Sequence, residues 1–156
     1  LLDFEVTQDT NGRGIAEKLN TGMPSGLRVL DCYPATRPVR DLAYLRADVT
    51  FEYDNGVPAG AAEALTALFT RPALVIQKRT KRKELADVDI APMIKDFSFT
   101  DGEGVVTGTV TVLAQNPGLN PQLLEKAVER YMPDLSPDFL RIRRRAVLDA
   151  EGRDFR

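Results

Sequence analysis

A chain of 156 residues, 43% of them hydrophobic, is long enough to bury a core in one domain or in two small αβ units. Its net charge of −2, with 28% charged residues, argues against disorder and against an affinity for nucleic acid spread over the whole surface. It has no histidine, no tryptophan and one cysteine, Cys32, which excludes imidazole acid–base chemistry, a Cys/His metal cage and an internal disulfide.

The first forty residues predict one β–α–β unit. The elements are a strand at 2–7, a turn at 9–12, a helix that carries Ile15, Ala16 and Leu19, and a return strand at 27–32. Because the chain starts inside an alternating strand pattern and not with methionine, we expect a fragment of a longer polypeptide. Residues 1–40 would then form the C-terminal half of a first αβ unit.

Residues 41–156 predict a second αβ domain with an insertion near 80–100. Its elements are a strand at 44–53, a helix at 58–69, a return strand at 74–76, the segment Phe97-Ser98-Phe99, a strand at 105–114, a helix from 121 to 131 and a last strand at 139–148. This order, β-α-β, two inserted strands, then β-α-β, predicts an α+β fold of the ferredoxin-like split βαβ type. Both helices would cover one face of an antiparallel sheet.

Several stretches of the chain resemble the DUF2344 family, a radical SAM-linked accessory domain. They are 2–7, 15–20, 24–30, 81–84, 87–94, 120–124 and 144–152. The resemblance covers nearly the whole chain and implies a radical SAM protein or domain as the partner. The three-cysteine cluster motif of radical SAM proteins is absent, and so is the N-terminal portion of the family. Cys32 alone cannot hold an iron–sulfur cluster.

One candidate binding segment is a basic run, Lys78-Arg79-Thr80-Lys81-Arg82-Lys83, which holds five positive charges and no acid. It follows a predicted buried strand, so we expect it to extend from the end of a sheet into a loop. Clustered lysines and arginines attract phosphate backbones in a salt-dependent way that does not depend on base sequence. The alternative is a solvated segment that protects a strand edge from mispairing.

A second candidate is the last predicted strand, where Arg141, Arg143 and Arg145 alternate with apolar residues. Period-two geometry puts the three guanidinium groups on one sheet face, about 6.6 Å apart. In the inferred sheet the helices leave this face open, and neighbouring strands add Arg46, Asp48, Thr50, Glu52, Thr107, Thr109 and Thr111. Such a face is suited to RNA phosphates and 2′-hydroxyls or to a partner domain, but it lacks the paired aromatic rings that stack bases. The alternative is cross-strand ion pairing of the arginines with Asp48 and Glu52.

No catalytic residue, metal site or cofactor is predicted. Asp87 and Asp89 supply too few oxygen ligands for a hard cation, and Cys32 is expected to be a buried small hydrophobic residue. No apolar run approaches the ~20 residues that span a bilayer, and a lone cysteine fits a reducing cytoplasm.

The main hypothesis is a non-catalytic accessory domain, tied by the resemblance to a radical SAM protein, that contacts RNA or an RNA-processing assembly. Two alternatives stay open. The fragment either completes an enzyme active site with upstream residues, using Asp87 or Asp89, or serves only for protein–protein docking.

Overall fold

The computed structural model describes residues 2–7, 11–79 and 84–155, which divide into two compact units, one up to Asp41 and the other Leu42–Phe155. This part of the chain is a mixed α+β structure. Its helices and strands are α1 (Gly12–Thr21), β1 (Tyr44–Glu52), α2 (Ala61–Phe69), β2 (Val75–Arg79), β3 (Leu85–Asp89), β4 (Ile94–Asp101), β5 (Val105–Leu113), α3 (Leu123–Tyr131) and β6 (Phe139–Leu148).

The first unit contains helix α1 but not the two strands predicted on either side of it. Residues 2–7 and 27–32 are not strands, so this part of the prediction was wrong, and residues 9 and 10 of the predicted turn lie outside the described residues. The side-chain amide of Asn20 accepts from the N–H of Val29 at 2.8 Å and donates to its carbonyl oxygen at 3.0 Å. This amide satisfies the backbone of Val29 in place of a neighbouring strand.

The second unit is built on a four-stranded antiparallel sheet in the order β4-β5-β1-β6. Alternation along β1 buries Ala47, Val49 and Phe51 and leaves the residues between them more exposed. Helices α2 and α3 pack on the buried side, where residues such as Leu65 and Val128 join the same core cluster. Both helices therefore cover one face of the sheet.

The return strand predicted at 74–76 lies outside this sheet. It enters β2, which pairs with β3 in a separate two-stranded sheet. The hydroxyl of Tyr131 in α3 accepts from the N–H of Val75 at 3.0 Å and donates to the carbonyl of Val75 at 3.1 Å. The backbone groups of Val75 are therefore hydrogen-bonded to a helix side chain and not to a strand of the main sheet. The edge position in the main sheet belongs to β4, because Phe97 and Phe99 pack their rings against Phe69 at 6.1 and 5.6 Å between centroids.

Tyr53, which directly follows β1, predicts a measurable dependence of stability on pH. Its hydroxyl donates to the carbonyl of Leu135 at 3.1 Å, and burial, aided by the charge of Asp101, raises its pKa above the ordinary value of 10.0. Below pH 10 both folded and unfolded chains hold the proton. Above it the unfolded chain loses the proton first, so this contribution to stability falls as pH rises through the folded pKa. Urea unfolding of wild type and Tyr53→Phe between pH 8 and about 11 should show a steeper decline for wild type; parallel curves would contradict the assignment.

Candidate binding face of the sheet

The side of the main sheet away from α2 and α3 is lined by polar side chains, and we call it the open face. Strand β6 pairs with β1 and β1 with β5, so the strands expected to share this face are neighbours. The register, and for Arg145 an ion pair with Asp48, place these residues on the open face: Arg141, Arg143 and Arg145 of β6; Arg46, Asp48, Thr50 and Glu52 of β1; Thr107, Thr109 and Thr111 of β5; Asp96, Ser98 and Thr100 of β4.

Hydroxyl groups form two cross-strand rows on this face. Thr50, Thr107 and Thr100 are aligned across three strands, and Thr109 and Ser98 are aligned in the next row. Neighbouring strands lie about 4.8 Å apart, so the rows present donors and acceptors at a regular spacing. The hydroxyl of Thr111, in the third row, is not accessible to a ligand. Thr111 is buried, and its hydroxyl accepts from the Nε of Arg46 at 3.5 Å.

The arginines of β6 are partly neutralised by the acids of β1. The Nε and one terminal nitrogen of Arg141 both lie 2.8 Å from Oε1 of Glu52, and the Nε of Arg145 lies 3.4 Å from Oδ2 of Asp48. Arg145 reaches Asp48 because the register shifts at Arg46 and Ala47, which makes Arg145 the extra residue of a bulge. These are the ion pairs that the alternative interpretation predicted, and exposed pairs of this kind contribute less than about 1 kcal/mol each.

Two arginines of β6 form none of the ion pairs found in the described part of the chain. Arg143 lies opposite Asp48 in the register, yet Asp48 pairs with Arg145, and neither Arg143 nor Arg144 has an acidic partner among the described residues. Both side chains are exposed. Sequence reasoning omitted Arg144 because alternation puts it on the opposite side of β6 from its two neighbours.

Phe139 was also missed from the sequence. It opens β6 opposite Glu52, on the open face, and 56% of it is exposed. The guanidinium carbon of Arg141 lies 5.8 Å from the centroid of its ring. The strand pattern could have predicted its position, because Phe139, Arg141 and Arg143 are two residues apart and so share one face of the strand.

The basic run is divided between described and undescribed residues. Lys78 and Arg79 are the last two residues of strand β2, at the end of the two-stranded sheet, while Lys81, Arg82 and Lys83, where the loop is expected, fall outside the described residues. Strand β2 packs against α3, on the helix side of the main sheet. Strand β2, which carries Lys78, and the open-face arginines Arg141 and Arg143 therefore lie on different sides of the sheet.

The two carboxylates proposed for the enzyme alternative, Asp87 and Asp89, do not form a site together. Oδ1 of Asp89 accepts from the N–H groups of Leu74 at 2.7 Å and Ala91 at 3.1 Å, whereas Asp87 is exposed on β3. In the described ranges no three metal-ligating side chains come together. Cys32 is half-buried, not fully buried as expected.

These features define an α+β protein whose antiparallel sheet has one face under helices and one polar face open. The chain belongs to the DUF2344 family, described as an uncharacterised protein conserved in bacteria, whose sequence profile matches residues 1–121. The match ends before α3 and β6, so the arginine strand lies beyond it. No curated protein and no solved structure matches the chain. Across the described ranges, no helix has the length and apolar character needed to cross a membrane.

Proposed function

We propose that the Leu42–Phe155 unit is a non-catalytic binding domain whose open face binds the phosphate backbone of RNA. The observation that carries the proposal is the exposed guanidinium group of Arg143 on that face, which has no acidic partner among the described residues. A guanidinium group is suited to phosphate because its planar N–H donors match two oxygens at once.

The fold itself we infer to be the ferredoxin-like split βαβ arrangement. Support comes from the strand order β4-β5-β1-β6, from antiparallel pairing throughout, and from the placement of α2 after β1 and α3 after β5. The β2–β3 hairpin is an insertion in this plan. In such an arrangement the face opposite the helices is free to receive a ligand, and here that face carries the hydroxyl rows.

The two kinds of side chain have different roles in the proposed complex. The arginines of β6 attract phosphates through counterion release, which makes binding depend on salt and not on base sequence. The hydroxyls of Thr50, Thr100 and Thr107 offer donors and acceptors to the ribose 2′-hydroxyl, the group that distinguishes RNA from DNA. A non-catalytic role is supported by the scattered carboxylates, since Asp89 and Asp149 are both engaged by backbone N–H groups.

Neutralising Arg143 tests this function. Arg143→Gln should lower the affinity for labelled oligouridylate about tenfold, because one charge-assisted hydrogen bond to phosphate is lost. The slope of log affinity against log salt should become shallower by about 0.7 for one phosphate contact on a single strand. Fluorescence anisotropy at several potassium chloride concentrations measures both quantities.

The matched control is Lys126→Gln, which removes one exposed charge from α3 on the helix side of the sheet. An equal loss of oligouridylate affinity in both variants would show that only the net charge of the protein matters, and would contradict the proposal. Asp48→Asn adds a test in the other direction, because it frees Arg145 from its pair and should raise RNA affinity about threefold. If Asp48→Asn lowers stability without changing RNA affinity, the arginines serve only to pair with acids.

The resemblance that links this chain to a radical SAM protein remains part of the proposal, as the partner that the binding domain assists. Co-purification with such a protein tests that link. If the association survives nuclease treatment and is lost in Arg143→Gln, while oligouridylate does not bind, the open face serves protein docking in place of RNA.

A further inference from the structure

Phe139 is an aromatic ring left uncovered at one end of the open face. Phe51, Phe69, Phe97 and Phe99 pack together in the core, whereas Phe139 is 56% exposed at the start of β6. Its register partner is Glu52, so the ring stands on the same side of the sheet as Arg141 and Arg143.

The backbone that carries this ring is held by hydrogen bonds to the end of β1. The N–H of Asp138 donates to the carbonyl of Glu52 at 2.9 Å, and the carboxylate of Asp138 accepts from the N–H of Asp54 at 2.7 Å. The backbone that carries Phe139 is therefore tied to the end of β1 at two points. A backbone segment held in advance loses little conformational freedom on binding a ligand.

The charges around the ring suit a nucleotide. Arg141 is bound to Glu52 through two nitrogens, with its guanidinium carbon 5.8 Å from the Phe139 centroid, which keeps a cation beside the ring. Arg143 follows on the same face about 6.6 Å further along the strand, without an acidic partner in the described part of the chain. An apolar π-face with guanidinium groups on the same face matches the combination of base and phosphate in a nucleotide.

We propose that Phe139 stacks one unpaired nucleobase of single-stranded RNA while Arg143, on the same face, binds a phosphate further along the same RNA strand. This inference rests on the proposed function and adds the strandedness of the ligand. Bases in a duplex are already stacked on each other, so a free ring has a partner only where bases are unpaired. A single ring stacks any base, so the site should accept many sequences.

The test compares Phe139→Leu and Phe139→Tyr with the wild-type chain, using oligouridylate and an RNA duplex of equal length as probes. Phe139→Leu should weaken oligouridylate binding about tenfold, and Phe139→Tyr should retain it, because only the aromatic variant can stack a base. Base protons of bound oligouridylate should shift upfield in NMR spectra of wild type and Phe139→Tyr but not of Phe139→Leu. Thermal unfolding of all three chains should agree closely, since the side chain is exposed.

The possible results distinguish base stacking by Phe139 from phosphate binding by the open face. If Phe139→Leu binds oligouridylate as wild type does while Arg143→Gln is weakened, stacking is overturned and phosphate binding stands. If wild type prefers the duplex and Phe139→Leu does not change that preference, the hydroxyl rows bind paired RNA and the inference is likewise overturned. If wild type binds neither probe, both the inference and the proposed function are wrong.

Discussion

Replacing Phe51 with alanine should lower the free energy of unfolding by about 4 kcal/mol, because it removes a fully buried ring and leaves a cavity in the core. Phe51 is 0% exposed and meets Phe99 edge to face, with ring centroids 6.0 Å apart. The edge-to-face contact adds to the loss of buried area. Urea unfolding followed by far-ultraviolet circular dichroism measures the change, since the chain has no tryptophan to report it.

Phe139→Ala provides the matched control, since it makes the same substitution on the same sheet at an exposed position. It should cost less than about 1 kcal/mol, because little apolar area leaves the solvent at that site on folding. Similar losses for the two variants would show that the ring at Phe139 is buried in solution, and would also remove the basis for stacking. We expect Phe51→Ala to bind RNA less only to the extent that the variant is unfolded.

Asp149→Ala should lower the free energy of unfolding by about 2 kcal/mol, the second largest loss expected, because two backbone N–H groups lose their acceptor. Asp149 is 2% exposed, and its Oδ1 accepts from the N–H groups of Glu151 at 3.1 Å and Arg153 at 2.9 Å. Its carboxylate also binds the guanidinium of Arg153, whose pKa is raised by that side-chain hydrogen bond. The turn it holds returns the chain to β6, where the N–H of Phe155 donates to the carbonyl of Val147.

Three variants separate the parts of this arrangement in thermal and urea unfolding. Asp149→Ala removes every acceptor, Asp149→Asn keeps one oxygen for the backbone, and Arg153→Ala removes only an exposed partner. We expect the loss of stability to decrease in that order. If Arg153→Ala were as harmful as Asp149→Ala, the ion pair and not the backbone turn would be the source of the stability.

The candidate site was largely visible in the sequence. Alternation along β6 identified Arg141 and Arg143 as neighbours on one face, and the acids Asp48 and Glu52 were named as possible partners. The sequence did not reveal which pairs form. Arg143 faces Asp48 in the register, but a bulge brings Arg145 to that carboxylate. A bulge is a property of two paired strands, so a single strand pattern does not predict it.

The fold shows a similar division. The apolar patterns around β1, α2, α3 and β6 were enough to locate those elements, since each buries a stripe against a core. The patterns at 2–7 and 27–32 also alternate, but alternation forms a strand only when another strand supplies hydrogen bonds. In the described part of the first unit, the amide of Asn20 takes that role at Val29.

The sequence by itself determined that Arg141 and Arg143 share a face, because the two-residue period of a strand is a local property of the backbone. It thereby defined a polar face with arginines along one edge. Only the tertiary structure decided that Leu74 and Ile76 leave the main sheet for a hairpin against α3, and that β4 takes the sheet edge. Strand partners are chosen by packing between residues far apart in the chain, such as Phe69 with Phe97 and Phe99, and no local pattern contains that information.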